Sequence, residues 1–148
     1  VSDKRIVVGV DGSEPSVQAL RWSARLAELT GAAVEAVTAW DLPQFYGVGG
    51  WTPPLTDLYP DDLARTVLDE AIAKAFGAGA QPPVEIGKRA EQGAPARVLI
   101  DASASASLLV VGNRGHSALA EAALGSVSLA CVHHAACPVT IVHGDIVL

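Results

Sequence analysis

Three short stretches of the sequence carry residue types suited to a ligand site, two of them to holding an anion. Asp11-Gly12-Ser13 follows one apolar run, Gly112-Asn113-Arg114-Gly115 follows another, and Gly125-Ser126-Val127-Ser128 comes farther on. From Gly112 the spacing runs two residues to Gly115, nine to Gly125, then Ser126. Glycines let backbone amides come close to a phosphate that a Cβ would hold off, and they accept positive φ without strain. A helix opening at Gly125-Ser126 turns its unpaired first-turn amides and its positive dipole end toward an anion. Serine hydroxyls there add donors. Cys131, His133, His134 and Cys137 form a second cluster, of zinc-ligand types. Adjacent histidines on a helix point about 100° apart and do not share one ion readily, so a partly buried surface cluster is the better reading.

These stretches need elements to position them. Short β-branched runs alternate with segments of helical period, the pattern of parallel strands joined by crossover helices. Ile6 to Val10 is the first strand, apolar on both faces and so central. Ser13 is placed to cap a first helix with Pro15 in its first turn, Val17, Leu20, Ala24 and Ala27 on one face and Gly31 at its end. Val34 to Trp40 is the second strand. The segment 41–60 is rich in Pro, Gly and aromatics (Phe45, Tyr46, Trp51, Tyr59) and reads as a long connection, either a lid or a packed surface. Leu63, Val67, Leu68, Ala71 and Ala75 give the next helix its core stripe, and a short charged strand, Val84 to Gly87, suits a sheet edge. Gly93-Ala94-Pro95-Ala96 opens a third helix, Leu108 to Val111 is a buried strand, and Val139 to Val142 is the last strand, after a helix beginning near Gly125-Ser126. The expectation is an α/β fold: a doubly wound five-stranded parallel sheet of order 3-2-1-4-5 with helices on both faces. Ligands bind such sheets at the carboxyl ends of the strands where the winding reverses, between the first and fourth strands.

A chain of 148 residues fits one domain, here 1–148, able to bury roughly 70% of its unfolded surface. Half the residues are hydrophobic and 18% charged, which excludes a disordered chain. A formal charge of −6 with a pI near 5.0 repels nucleic acid and anionic membranes, yet leaves a nucleotide held by backbone amides possible. Val1-Ser2-Asp3-Lys4-Arg5 lacks the features of a signal peptide, and no apolar window approaches the roughly 20 residues of a membrane span, so a cytoplasmic protein with two reduced thiols is expected.

The glycine pattern, set on these elements, resembles that of the universal stress protein family, in its ATP-binding branch. The resemblance runs through Val8-Gly9-Val10-Asp11-Gly12-Ser13, Gly93-Ala94-Pro95-Ala96, Val110 to Gly115, Gly125 to Ser128, and His134-Ala135-Ala136-Cys137-Pro138-Val139. It implies that Asp11 lies near the ribose and a phosphate-bound Mg2+ or Mn2+, and that Ala39 offers backbone hydrogen bonds to adenine. Gly112 would meet the ribose, and Val10 and Val111 would wall the base and sugar. Gly115, Gly125, Ser126, Val127 and Ser128 would cradle the phosphates of ATP. From position in the loop, Arg114 and His116 are candidates for phosphate charge, and Glu121 is assigned no role. The resemblance and the apolar edge of the last strand together imply a homodimer through Val139 to Val142.

The function implied is that of an ATP-binding stress-response module acting through nucleotide-dependent conformation or an unknown signalling partner. No general base is evident for activating water at the γ-phosphate, so hydrolysis is expected to be slow at most. Two alternatives stand beside it: a structural or interaction relative that does not bind nucleotide, and an adenylate-transferring enzyme, which would ordinarily need catalytic lysines or a substrate domain. The sequence lacks a G-x-x-x-x-G-K-[ST] P-loop, and the acidic Asp11-Gly12-Ser13-Glu14-Pro15 turn does not suit FMN.

Overall fold

Side chains alternate across a strand, so each strand here must satisfy two different layers of helix. In the computed structural model, which describes residues 4–41, 60–113 and 124–143, β1 (Arg5–Gly9) sends Ile6 and Val8 to one face and Val7 to the other. The first face packs on α1 (Glu14–Thr30) and α2 (Pro60–Phe76) through Val17, Leu20, Ala27, Leu68 and Ala71, joined by Val34 and Ala36 of β2 (Ala33–Trp40). The second packs on α3 (Pro95–Ser103) and α4 (Ser126–His134) through Val98, Leu99, Ala102 and Cys131. It draws Leu109 and Val111 from β4 (Leu108–Gly112), while β3 (Ile86–Gln92) and β5 (Val139–Val142) form the edges. Burying Leu20, Leu68 and Leu109 fully contributes roughly 1.5–3 kcal/mol each.

The sheet is parallel throughout, in the order β3-β2-β1-β4-β5, as the sequence predicts. The winding reverses between β1 and β4, which pair from Ile6↔Leu108 to Val8↔Val110. Their carboxyl ends therefore open side by side.

Two local expectations change. The third strand begins at Ile86 and continues to Gln92, beyond the expected Val84 to Gly87. It is an edge strand as its charges suggest, but β2 offers a long ladder, from Val34↔Ile86 to Trp40↔Gln92, and backbone pairing is indifferent to side chains. The charges find local partners: Arg89 lies 3.2 Å from Glu35 and Lys88 2.7 Å from Asp69. Ser13 does occupy the cap position of α1, but its hydroxyl donates to Asp11 Oδ1 and no side chain caps the helix. At the other end Gly31, at φ 75°, donates its N–H to Ala27 O as expected of a helix-ending glycine. Most of the segment 41–60 lies outside the described residues.

Candidate functional site

The turn after β1 is built around the Asp11 carboxylate. Its Oδ1 accepts the Ser13 N–H at 2.9 Å and the Ser13 hydroxyl, while Ser16 Oγ donates to Ser13 O at 2.8 Å. Gly12, at φ 84°, makes the reversal that an L side chain would resist. Asp11 is exposed at this edge, and Val10 behind it is buried, its N–H donating to Val37 O. With Gly12, Val67, Glu70, Ala71 and Lys74, Asp11 lines a cleft of about 190 Å³. Glu70 and Lys74 come from α2 and had no signal in the sequence beyond exposed helical positions.

Ala39 has a defined backbone direction. Val37 O faces β1, where it accepts Val10 N–H, and Trp40 O faces β3, where it accepts Gly93 N–H at 2.7 Å. Alternation therefore turns the Ala39 N–H and C=O to the β1 side, past Gly9↔Val37, the last pair of that ladder. These groups can present a donor and an acceptor to a heterocycle edge. Beside them the Trp40 indole N–H is buried without an acceptor among the described residues.

Across the opening, α4 starts at Gly125 with no side-chain cap, so the first-turn amides of Ser126, Val127 and Ser128 have no acceptor within the helix. Ser126 is exposed, Val127 packs partly into the core, and Ser128 is buried. The Ser128 hydroxyl donates to Gly112 O at 2.6 Å. A serine has one hydroxyl proton, so Ser128 Oγ cannot also donate to a phosphate while this bond stands; its backbone amide is the group facing outward. Gly125 N–H donates to Asn113 O at 2.9 Å, and Asn113 N–H to Val142 O at 3.0 Å. Val111 is buried in the core under this edge. A Cβ on Gly112 would lie 2.6 Å from Pro15 Cβ and 2.8 Å from Pro15 C. Contact with α1 thus demands a glycine at 112, whatever the ligand. Arg114 and Gly115, with His116 and Glu121, lie outside the described residues.

The chain matches the universal stress protein family over residues 3–143. It belongs to that family. A universal stress protein of Mycolicibacterium smegmatis is 36% identical over 147 residues, covering 95% of this chain and 48% of the relative. Rv2623 of Mycobacterium tuberculosis is 34% identical over 146 residues, again 95% and 48%. The chain thus spans about half the length of these curated relatives. Among solved structures, a universal stress protein in complex with cAMP is 31% identical, with a TM-score of 0.66, covering 95% of this chain and 96% of that one. The universal stress protein from Archaeoglobus fulgidus in complex with dAMP is 26% identical, with a TM-score of 0.57, covering 94% and 97%.

The cysteine-histidine cluster of this universal stress protein is not arranged for a metal. Cys131 is fully buried, and burial, followed by the neighbouring Cys137, pushes its thiol up to about 11. Burial also raises Cys137, against a lowering hydrogen bond from the Leu109 backbone. The rings of His133 and His134 are 6.1 Å apart, and among the described residues no three acidic, histidine or cysteine side chains gather as a metal site would need. Among the same residues, no helix is long and apolar enough to cross a membrane.

Proposed function

We propose that this chain binds ATP, with Mg2+ or Mn2+, at the carboxyl ends of β1, β2 and β4, and acts in the stress response through nucleotide-dependent conformation or partner binding. The observation that carries this reading is that the ends of the paired strands β1 and β4 lead into two complementary features, the Asp11 carboxylate turn, suited to a cation, and the uncapped start of α4, suited to an anion. The relatives solved with cAMP and dAMP support an adenine nucleotide as the ligand class.

In this reading Ala39 pairs with the adenine edge, Val10 and Val111 back the base and sugar, and Gly112 lies by the ribose. The amides of Ser126, Val127 and Ser128 hold the phosphates together with Gly115, Gly125 lets the backbone come close while its own N–H is held by Asn113 O, and Arg114 adds charge. Asp11 fits a hard cation: it is an exposed carboxylate whose orientation the Ser13 amide sets, and the cation's remaining ligands would be phosphate oxygens and water. When bound, the cation would neutralise triphosphate charge. Hydrolysis is slow in this reading, and the protein works in the cytoplasm. A second copy joins along β5, the apolar edge strand of the sheet.

One observation favours the alternative of an interaction module without nucleotide: Gly112 and Ser128 each have a packing reason to be present. Calorimetry of the chain with ATP and magnesium separates the two. Binding that falls at least about tenfold in Gly115→Ala supports the proposal, by removing close backbone approach to a phosphate. Absence of binding in the unmodified chain overturns it and leaves the interaction module.

A further inference from the structure

Gly112 is where three elements meet. It ends β4, its carbonyl accepts the buried Ser128 hydroxyl from the first turn of α4, and its Cα lies against Pro15 in the first turn of α1. The next residue closes the base of the intervening loop, Asn113 O accepting Gly125 N–H at 2.9 Å while Asn113 N–H reaches Val142 O. The two helix starts on either side of the opening are therefore not independent. Each is referenced to the same peptide.

We infer that Ser128 is a positioning residue: its hydroxyl ties the amide cluster of α4 to the end of β4, and so sets the distance from that cluster to the Asp11 turn, without touching the ligand through its side chain. The chemistry favours this over direct contact. The hydroxyl is buried, 5% of the residue being exposed, and its single proton is committed to a carbonyl at 2.6 Å. Phosphate oxygens are acceptors and need a donor. Removing the tether leaves the Gly112 carbonyl short of a partner and lets the first turn of α4 move relative to β4. The amides then lose the preorganisation that makes an uncapped helix start an anion site.

The consequence for affinity rests on the proposed nucleotide site; the mechanical part does not. Amide hydrogen exchange in the nucleotide-free protein tests the mechanical part at Gly125 N–H, whose acceptor is Asn113 O. Ser128→Ala is expected to speed that exchange about tenfold, the loss of one hydrogen bond, and to weaken ATP by a similar factor. Ser128→Thr, which keeps the donor, retains both properties, and Ser128→Val, matched to threonine in shape, loses both. Ser103→Ala is the control for general loosening. Its hydroxyl makes a similar bridge at the opposite edge, donating to Ile100 O at 2.6 Å and accepting Ala136 N–H at 2.8 Å. It should leave Gly125 exchange and ATP affinity unchanged.

Unaltered Gly125 exchange in Ser128→Ala overturns the inference, and if affinity nevertheless falls, the hydroxyl contacts phosphate directly. Faster exchange with unaltered ATP affinity overturns it as well. If the unmodified chain binds no ATP, the nucleotide reading falls, and the exchange measurements alone decide whether Ser128 is the tether.

Discussion

The two ends of the sheet solve the same backbone problem in opposite ways. At the amino end, charges and a helix terminus find partners within the protein, although Arg5 Nε and Arg89 Nε are buried without a hydrogen-bond acceptor among the described residues. Glu35 Oε1 accepts from Arg5 at 2.8 Å and from Arg89 at 3.2 Å, and Arg21 donates to Ala75 O and Lys74 O at the end of α2, both at 2.9 Å. At the carboxyl end, α1 and α4 begin without side-chain caps, because the cap residue Ser13 turns its hydroxyl to Asp11 and the cap position of α4 is Gly125, which has no side chain. The larger cleft, about 440 Å³, lies at the amino end beside Arg5, Val34, Glu35 and Gly87. Its size is not what marks a site. The proposed site rests instead on uncapped amide donors, which lie at the other edge.

The contrast is sharpest at glycine. Gly112→Ala would drive a Cβ into the Pro15 backbone, and we expect a loss of about 3 kcal/mol in urea denaturation, at the upper end of overpacking costs. A Cβ on Gly87, at the amino cleft, would meet Val34 O at an ordinary 3.6 Å, so Gly87→Ala should cost under about 0.5 kcal/mol. Equal costs would show that β4 is not locked to α1.

Glu35→Ala leaves two guanidiniums facing each other without their shared carboxylate. The groups are only partly buried, with side-chain exposures of 24–33%, so solvent screening limits the expected loss to about 1–2 kcal/mol. Calorimetry with ATP should show unchanged affinity. A changed affinity would break the division of labour between the two ends.

Between the ends, Cys131 makes the core sensitive to alkali. Its folded value, about 11, lies above its ordinary 9.0, so the native state holds the proton more tightly than the unfolded chain. The associated stability is complete below pH 9 and is lost as pH rises toward 11, on the order of 2 kcal/mol. Denaturation midpoints across that range should fall, and Cys131→Ala should flatten their pH dependence. A loss of about 0.5–1 kcal/mol in urea denaturation is expected for Arg21→Lys, which keeps the charge but loses the fork across two carbonyls.

Much of the architecture was legible in the residues themselves. Alternation in Ile6-Val7-Val8 and in β2 requires helices on both faces, Gly31 marks the end of α1, and strands separated by helices imply a parallel sheet whose winding reverses between β1 and β4. These are short-range properties, written in period and in the φ preferences of single residues. The extent of β3 was not of this kind: its charges suit a sheet edge but do not say where pairing stops, which the ladder on β2 decides, with Glu35 and Asp69 supplying counter-charges. Nor were the bonds of the site. Ser13 and Ser128 were recognisable as hydroxyls at helix starts, but a hydroxyl has one proton, and only the folded arrangement decides which acceptor receives it. Gly112 likewise signals a need for close approach; that Pro15 is what approaches was decided by helix packing, which brings residues ninety-seven positions apart to within van der Waals contact.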